Sequence, residues 1–315
     1  MYIRVSYGTL SILGLQYYPS NVKPNIAYIM QYDPQGCLGK CSFCSQSRYY
    51  KANKEFLSRI VWPKMDLNTF LTYLSRSSIR RVCLQTIIKK NFIREAHIIV
   101  KSISDLGKSI SLSITPIPKK ELINFRNEGV DYLGVGLDAA SPELLVKLNK
   151  PYDWDTYWRF IVNGIDVFGE KHVIIHLIVG LGEDLYELLR LIERLYEIGT
   201  QVSLFAFTPI KNTPLQNNPP PSMNTYRLVQ LATELISQGY KLRDFLIREG
   251  NRYFIRSKFV NDDIIKKALL TRGCPGCNRP YYNEIPGKEP YNFPKESLIT
   301  KYKDTIKNEL NNLIK

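Results

Sequence analysis

Six apolar strand-like runs, a fainter seventh, and helical patterns between them predict an α/β fold of the (β/α)₈ TIM-barrel type with an irregular, cysteine-containing C-terminal extension. Three observations carry this. Strand and helix alternate, which implies parallel strands joined by right-handed crossovers. The count of seven or eight units suits a barrel better than an open sheet. The length of 315 residues exceeds the roughly 250 typical of such barrels.

The strand-like runs are residues 26–32, 81–87, 110–115, 132–138, 173–181, 202–207 and, less clearly, 244–247. Helical spacing of apolar residues marks 91–107 and 119–129. Segment 183–199 opens on acids and ends on Gly199, and 222–239 starts at a candidate Ser222 cap. Trp154 and Trp158 are four apart on a helix and read as core. Segment 211–222 is a Pro/Asn-rich loop. After Gly273 the sequence is rich in Pro, Gly and Tyr without periodicity, so it reads as an irregular cap, ordered by something other than its own core. Residues 295–315 read as a terminal helix. The expected division is an N-terminal extension (1–25), the barrel (26–273) and the cap with terminal helix (274–315).

Hydrophobic residues make up 44% and charged residues 23%, an ordinary globular balance. The N-terminus lacks the pattern of a signal peptide, and no apolar run nears the roughly 20 residues of a membrane span. The expected location is the cytoplasm, with no membrane partner. Lys and Arg total 43 against 29 Asp and Glu, a formal charge of +14 that favours acidic partners. The basic residues are scattered, which is equally the pattern of a solvated surface.

The six cysteines are Cys37, Cys41, Cys44, Cys83, Cys274 and Cys277. A reducing compartment argues for metal or catalytic use rather than disulfides. Cys37, Cys41 and Cys44 form C-x₃-C-x₂-C on a loop after the first strand, with Phe43 before the last cysteine. Three thiolates can ligate three irons of a cubane and leave the fourth iron open. Structural zinc wants four closed ligands. Cys274 and Cys277, as C-x₂-C, read alone as a zinc, redox or cluster pair. Cys83 reads alone as a small buried strand residue or a ligand. His97, His172 and His176 are scattered. His176, in an apolar strand, reads as a core or pocket-lining residue rather than a ligand, since metal-binding histidines come with visible partners.

The cluster loop resembles that of radical S-adenosylmethionine (SAM) enzymes. With GVGLDAASPELL (134–145), IVGLGE (178–183) and AFTPIKNTPL (206–215), the chain resembles their biotin synthase branch over most of its length. The resemblance implies a [4Fe–4S] cluster on Cys37, Cys41 and Cys44 and SAM chelated to the open iron. It implies a ribose contact at Asp138, which otherwise reads as a cap for the helix after it. It implies adenine contacts from the backbone of Val179, Gly180 and Leu181. Biotin synthases build a sulfur-donating cluster from cysteines on several strands. Cys83 matches the first, but the third strand has none and the fifth has Ile174 at the matching place.

The C-terminal CPGCNRPYYNE instead resembles a subunit of the archaeal two-protein lipoyl synthase. That resemblance implies sulfur insertion into an octanoyl chain on a carrier-protein lysine. Cys83, Cys274 and Cys277 would hold an auxiliary Fe–S cluster, of [4Fe–4S] type, that gives up sulfide. Arg272 and Arg279 flank the motif as candidates for its fourth ligand. The implied partners are a related radical SAM subunit, an acidic lipoyl carrier protein and an electron donor. Tyr281, Tyr282, Pro286 and Pro290 read as packing for the cap, or as the lining of a channel for the acyl-lysine arm. Two alternatives stand beside this. One is a one-cluster enzyme of the same branch (biotin synthase-like, rearrangement or methylation). The other is an RNA-modifying radical SAM protein, against which stands the lack of any RNA-binding module.

Overall fold

The computed structural model describes residues 1–17, 22–284 and 287–315. Pro286 lies outside the described residues. The strands are β1 (Tyr2–Val5), β2 (Ala27–Gln31), β3 (Phe56–Leu57), β4 (Ile60–Val61), β5 (Lys64–Asp66), β6 (Arg81–Gln85), β7 (Ser109–Ser113), β8 (Val130–Asp138), β9 (Val173–Val179), β10 (Gln201–Ala206), β11 (Leu246–Glu249) and β12 (Arg252–Ile255). The helices are α1 (Tyr7–Ile12), α2 (Leu67–Ser75), α3 (Phe92–Ser104), α4 (Lys119–Asn127), α5 (Pro142–Lys147), α6 (Trp154–Phe168), α7 (Leu185–Glu197), α8 (Met223–Ser237), α9 (Leu242–Phe245), α10 (Asp262–Leu269), α11 (Glu296–Lys301) and α12 (Lys303–Asn311). None is long and apolar enough to cross a membrane.

The expected α/β barrel-type architecture is present. Its main sheet has eight strands in the order β10-β9-β8-β7-β6-β2-β1-β5. Six of them, from β2 to β10, pair in parallel, while β1 pairs antiparallel with both β2 and β5. Parallel βα succession therefore runs through six units. The seventh strand expected at 244–247 is divided differently. Asp244 caps its own short helix by accepting from Lys241 N at 3.0 Å, and Leu246 onward enters a hairpin with β12 outside the main sheet. Gly250, at φ 58°, makes that turn.

Alternation along the parallel strands sorts side chains to two faces. Val82, Leu84, Leu112, Leu133, Val135, Ile175, Leu177 and Leu204 join the main core beneath the helices. The intervening positions face the barrel interior, where Ser113, Gly136 and Ser203 are small. An ordinary TIM barrel fills this space with branched apolar side chains. Here the small residues leave it hollow.

Among the described residues the sheet ends at β10 and, past β2 and β1, at β5, and these ends do not pair, so the barrel has a seam. The C-terminal segment fills it. On one side Ser203 Oγ donates to Arg272 O (2.7 Å), and Tyr282 packs edge-on against Phe205. On the other, Asn25 N donates to Asn278 Oδ1 (3.0 Å), Asn278 Nδ2 to Lys23 O (3.0 Å), and Arg279 N to Tyr28 Oη (3.0 Å). Buried Glu284 accepts from the backbone N–H groups of Asn283 and Asn292, closing the segment on itself.

Helix α8 explains how the tail stays in place. From Tyr226 to Ile236 it is buried all round, because α10 and α12 cover it. Arg227, wholly buried, bonds Glu289 Oε1 (3.0 Å), Glu309 Oε2 (3.0 Å), Pro290 O (2.7 Å) and Tyr291 O (2.6 Å). A buried guanidinium with two carboxylates and two carbonyls is fully satisfied. Removing it strands both acids. The terminal helix breaks at Tyr302 into α11 and α12. Arg227→Ala should therefore cost about 3–5 kcal/mol of stability by urea denaturation. Limited proteolysis of the variant should release the tail first; cleavage no faster than in the wild type would refute this anchoring.

Candidate active site in a two-chambered barrel

The loop after β2 carries Cys37, Cys41 and Cys44. Its entry turns on Gly36 (φ 88°), where a Cβ would stand 2.4 Å from Gln46 O, so no side chain fits. Cys37 N donates to Gln46 O at 2.6 Å and Arg48 N to Cys37 O at 2.9 Å. Lys54 Nζ donates to Ser45 O (3.0 Å), Ser47 O (2.6 Å), Tyr50 O (2.8 Å) and Ala52 O (3.1 Å), gathering the loop around one ammonium. The sulfur of Cys37 accepts from Gly39 N (3.3 Å) and Ile88 N (3.2 Å). Gly39 has no side chain to fill the space between the Cys37 and Cys41 sulfurs.

All three cysteines line one cavity of about 270 Å³ at the C-terminal end of the strands, where barrel enzymes place their sites. Burial raises the Cys41 thiol and pushes that of Cys44 up to about 12, with the other cysteines of the loop adding to the effect on Cys44. Thiolates crowded in a low-dielectric pocket need a cation to ionise against. Among the described residues no three His, Cys, Asp or Glu side chains are grouped to hold a single metal ion. A cubane asks for something else, since its thiolates sit on separate irons. The donor set fits such a cluster.

Asp138 lines the same cavity, with Lys150 and Tyr157. A register shift between Gly136 and Asp138 and a left-handed backbone (φ 64°) re-aim its side chain. It is not a helix cap; Ser141 caps α5 through Leu144 N at 3.3 Å. Lys150 Nζ bonds Asp138 Oδ2 (2.5 Å) and Gly136 O (2.7 Å), and its side chain is 5% exposed. Desolvation works against this ammonium, yet the adjacent carboxylate wins and holds its pKa well above the usual lysine range. Lys150 had no sequence signal, since a lone lysine before Pro151 looks like loop.

The turn Val179–Gly180–Leu181 lies elsewhere. Gly180 N and Leu181 N both donate to the Glu183 carboxylate (2.6 and 2.8 Å), and Val179 and Leu181 are buried. Of this stretch it is Ile178 that lines the cavity.

Cys83, Cys274 and Cys277 line a second cavity, of about 250 Å³. Cys274-Pro275-Gly276-Cys277 is a tight turn, with Cys277 N donating to Cys274 O at 2.9 Å and Gly276 at φ 79°. Pro then Gly at the two central positions is what a type II turn requires. Tyr28 Oη lies 3.5 Å from Cys277 Sγ. Burial raises the Cys83 thiol, and Cys274 and Cys277 add to it. Burial likewise pushes Cys274 up to about 12. Arg272 turns to Glu234 and Tyr196. Arg279 lies over the Phe205 ring and donates to Arg272 O at 2.9 Å. Gln85, Ser113, His176, Phe205 and Tyr282 line both cavities and form the wall between them. Tyr281 lines the second cavity as well, while Pro290 serves packing, its carbonyl bonded to Arg227.

The sequence profile of the Radical SAM superfamily matches residues 33–195. A biotin synthase of Coxiella burnetii is 24% identical over 194 residues, covering 58% of this chain and 57% of that one. The chain thus spans little more than half the length of that relative. A biotin synthase of Lawsonia intracellularis is 22% identical over 239 residues, covering 71% and 72%. Among solved structures, methylornithine synthase superposes with a TM-score of 0.55 at 16% identity, covering 73% of this chain and 65% of that one. The [FeFe]-hydrogenase maturase HydG of Carboxydothermus hydrogenoformans gives 0.52 at 18%, covering 68% and 52%. These two likenesses speak to the fold alone.

Lys150→Met should leave the Asp138 carboxylate buried without its counter-charge and cost about 3–5 kcal/mol. Adding Asp138→Asn should restore most of that, because the amide is neutral and tolerates the left-handed backbone. A double-mutant cycle by chemical denaturation measures it; additive losses would mean the pair is not coupled.

Proposed function

The chain belongs to the radical SAM superfamily, and from that premise we propose that it inserts sulfur into an octanoyl chain carried on a protein lysine, as lipoyl synthesis requires. Membership implies SAM and a [4Fe–4S] cluster, which Cys37, Cys41 and Cys44 would hold. The observation that carries the finer reading is the pair of chambers, each lined by three cysteines, behind one shared wall. Every cysteine of the chain is then used. When bound, the first cluster with SAM supplies a carbon-centred radical that takes hydrogen from an unactivated carbon, and the second supplies sulfide.

The chain's own residues suit this. Asp138, fixed by Lys150, offers a carboxylate oxygen to ribose hydroxyls. Phe205 and Tyr282, on the shared wall, give an aliphatic chain an apolar surface between the two cysteine sets. Pro24, Ile26, Ile60, Val61 and Trp62 extend that surface through the second chamber. Such a lining excludes water, which protects a reactive carbon centre from side reactions. The absence of cysteine on β7 and Ile174 on β9 speak against the cluster arrangement that the resemblance to biotin synthases implies. An acidic lipoyl carrier domain matches the charge of +14. A related radical SAM subunit and an electron donor complete the proposed set of partners.

With an octanoyl-lysine peptide, SAM and a reductant, the wild type should yield thiolated peptide and 5′-deoxyadenosine. Cys274→Ala should keep SAM cleavage measurable while thiolated product falls at least about 100-fold, the scale of losing a group that reacts directly. Thiolated product from that variant at the wild-type rate would overturn the assignment of the second chamber.

A further inference from the structure

The second chamber offers three thiols, and a four-iron cluster has a fourth iron to satisfy. Its wall contains other nitrogen and oxygen atoms, but most are already committed. Tyr28 Oη is engaged by Arg279 N and by Cys277 Sγ. Ser113 bonds Cys83. Ser203 Oγ donates to Arg272 O, and the Arg279 guanidinium to the same carbonyl. Gln85 presents an amide, whose carbonyl suits hard cations better than iron.

His176 differs from all of these. It lies deep in the barrel, and the surface it exposes lines the two cavities. Its ring has an edge-on contact with Phe205, centroids 5.2 Å apart, and no hydrogen-bond partner among the described residues. Burial, with Arg279 nearby, pulls its pKa down to about 4, so the ring is neutral near pH 7 and one nitrogen is bare. Its position is fixed through Gly134. A Cβ there would collide with Ser113 Oγ and stand 3.2 Å from His176 Cε1, so the absent side chain seats both groups side by side. Ser113 in turn bonds Cys83. Cys83, Ser113 and the imidazole thus share one wall of the chamber, with Ser113 and His176 both set against Gly134.

We infer that His176 is the fourth ligand of the auxiliary cluster, its bare imidazole nitrogen completing the set of Cys83, Cys274 and Cys277. This rests on the two-cluster reading above. Neutral imidazole is a good iron ligand, and nitrogen ligation of an iron–sulfur cluster has precedent in Rieske centres. The half-buried ring opens onto both chambers, where an iron would meet its bare nitrogen. The distance in sequence from His176 to Cys274 hides this partnership, since the tail reaches the strand only by filling the seam.

The test uses the full chain carrying Cys37→Ala, Cys41→Ala and Cys44→Ala, reconstituted anaerobically so that the auxiliary site alone is loaded. Pulsed EPR on the reduced cluster, with and without nitrogen-15 histidine, should show a nitrogen coupling that shifts with the label. His97 pairs with Glu121 and Glu128, and His172 with Phe168 O, both outside the chamber, so the label is unambiguous. The coupling should vanish in His176→Ala. Should that variant lose its cluster, His176→Cys should hold about four irons per chain, as a four-thiolate cubane does, with no nitrogen coupling. A loaded parent with no histidine coupling, or a coupling that survives in either variant, overturns the ligand assignment alone. A parent that binds no iron overturns the two-cluster reading and this inference with it.

Discussion

Six parallel strands leave a barrel with an open side, and what fills the seam beside β10 governs the rest of this structure. An uncovered strand edge exposes unpaired backbone groups and opens the interior to water. The tail covers this side with Asn278 and Tyr28 on one flank and Ser203 and the Phe205 ring on the other, and Asn292 Nδ2 donates to the β10 carbonyl Leu204 O at 3.4 Å. Because the segment that closes the barrel carries Cys274 and Cys277, closure and site assembly are one event. Arg227 makes it durable by tying Glu289 and Glu309 to a helix buried on every side.

The second constraint is electrostatic. Burial opposes the ionisation of Cys41 and Cys44 in one chamber and of Cys83 and Cys274 in the other. Left to themselves they are protonated and inert. With iron they become the charged ligands that the low dielectric otherwise forbids. The same desolvation acts on Lys150, where the Asp138 carboxylate overcomes it, and on His176, which stays neutral.

Much of this was legible in the sequence, and the failures have physical causes. The strand pattern and the cysteine loop are local signals, and Ala27–Gln31 through Gln201–Ala206 fell where alternation put them. The run DFLI (244–247) carries strand-like apolar content, but Asp244 caps a helix there and Gly250 then makes a hairpin turn. The tail was readable as irregular, yet its seat in the seam depends on residues more than 200 positions away, such as Lys23 and Asn25. Nothing local in the sequence marks Lys150 or Arg227, because only tertiary packing shows a charge to be buried. The glycine turn at 179–181 was readable as a turn. That Glu183 takes its amides was not, since a glutamate at that spacing equally opens a helix.

The measurement that bears most directly on this account is an iron and sulfide count on anaerobically reconstituted protein, beside the variant lacking Cys37, Cys41 and Cys44. Two cubanes predict about eight irons per wild-type chain and about four in the variant. About four irons falling to none would contradict the account: the tail cysteines would then bind no cluster, and the second chamber would need another occupant.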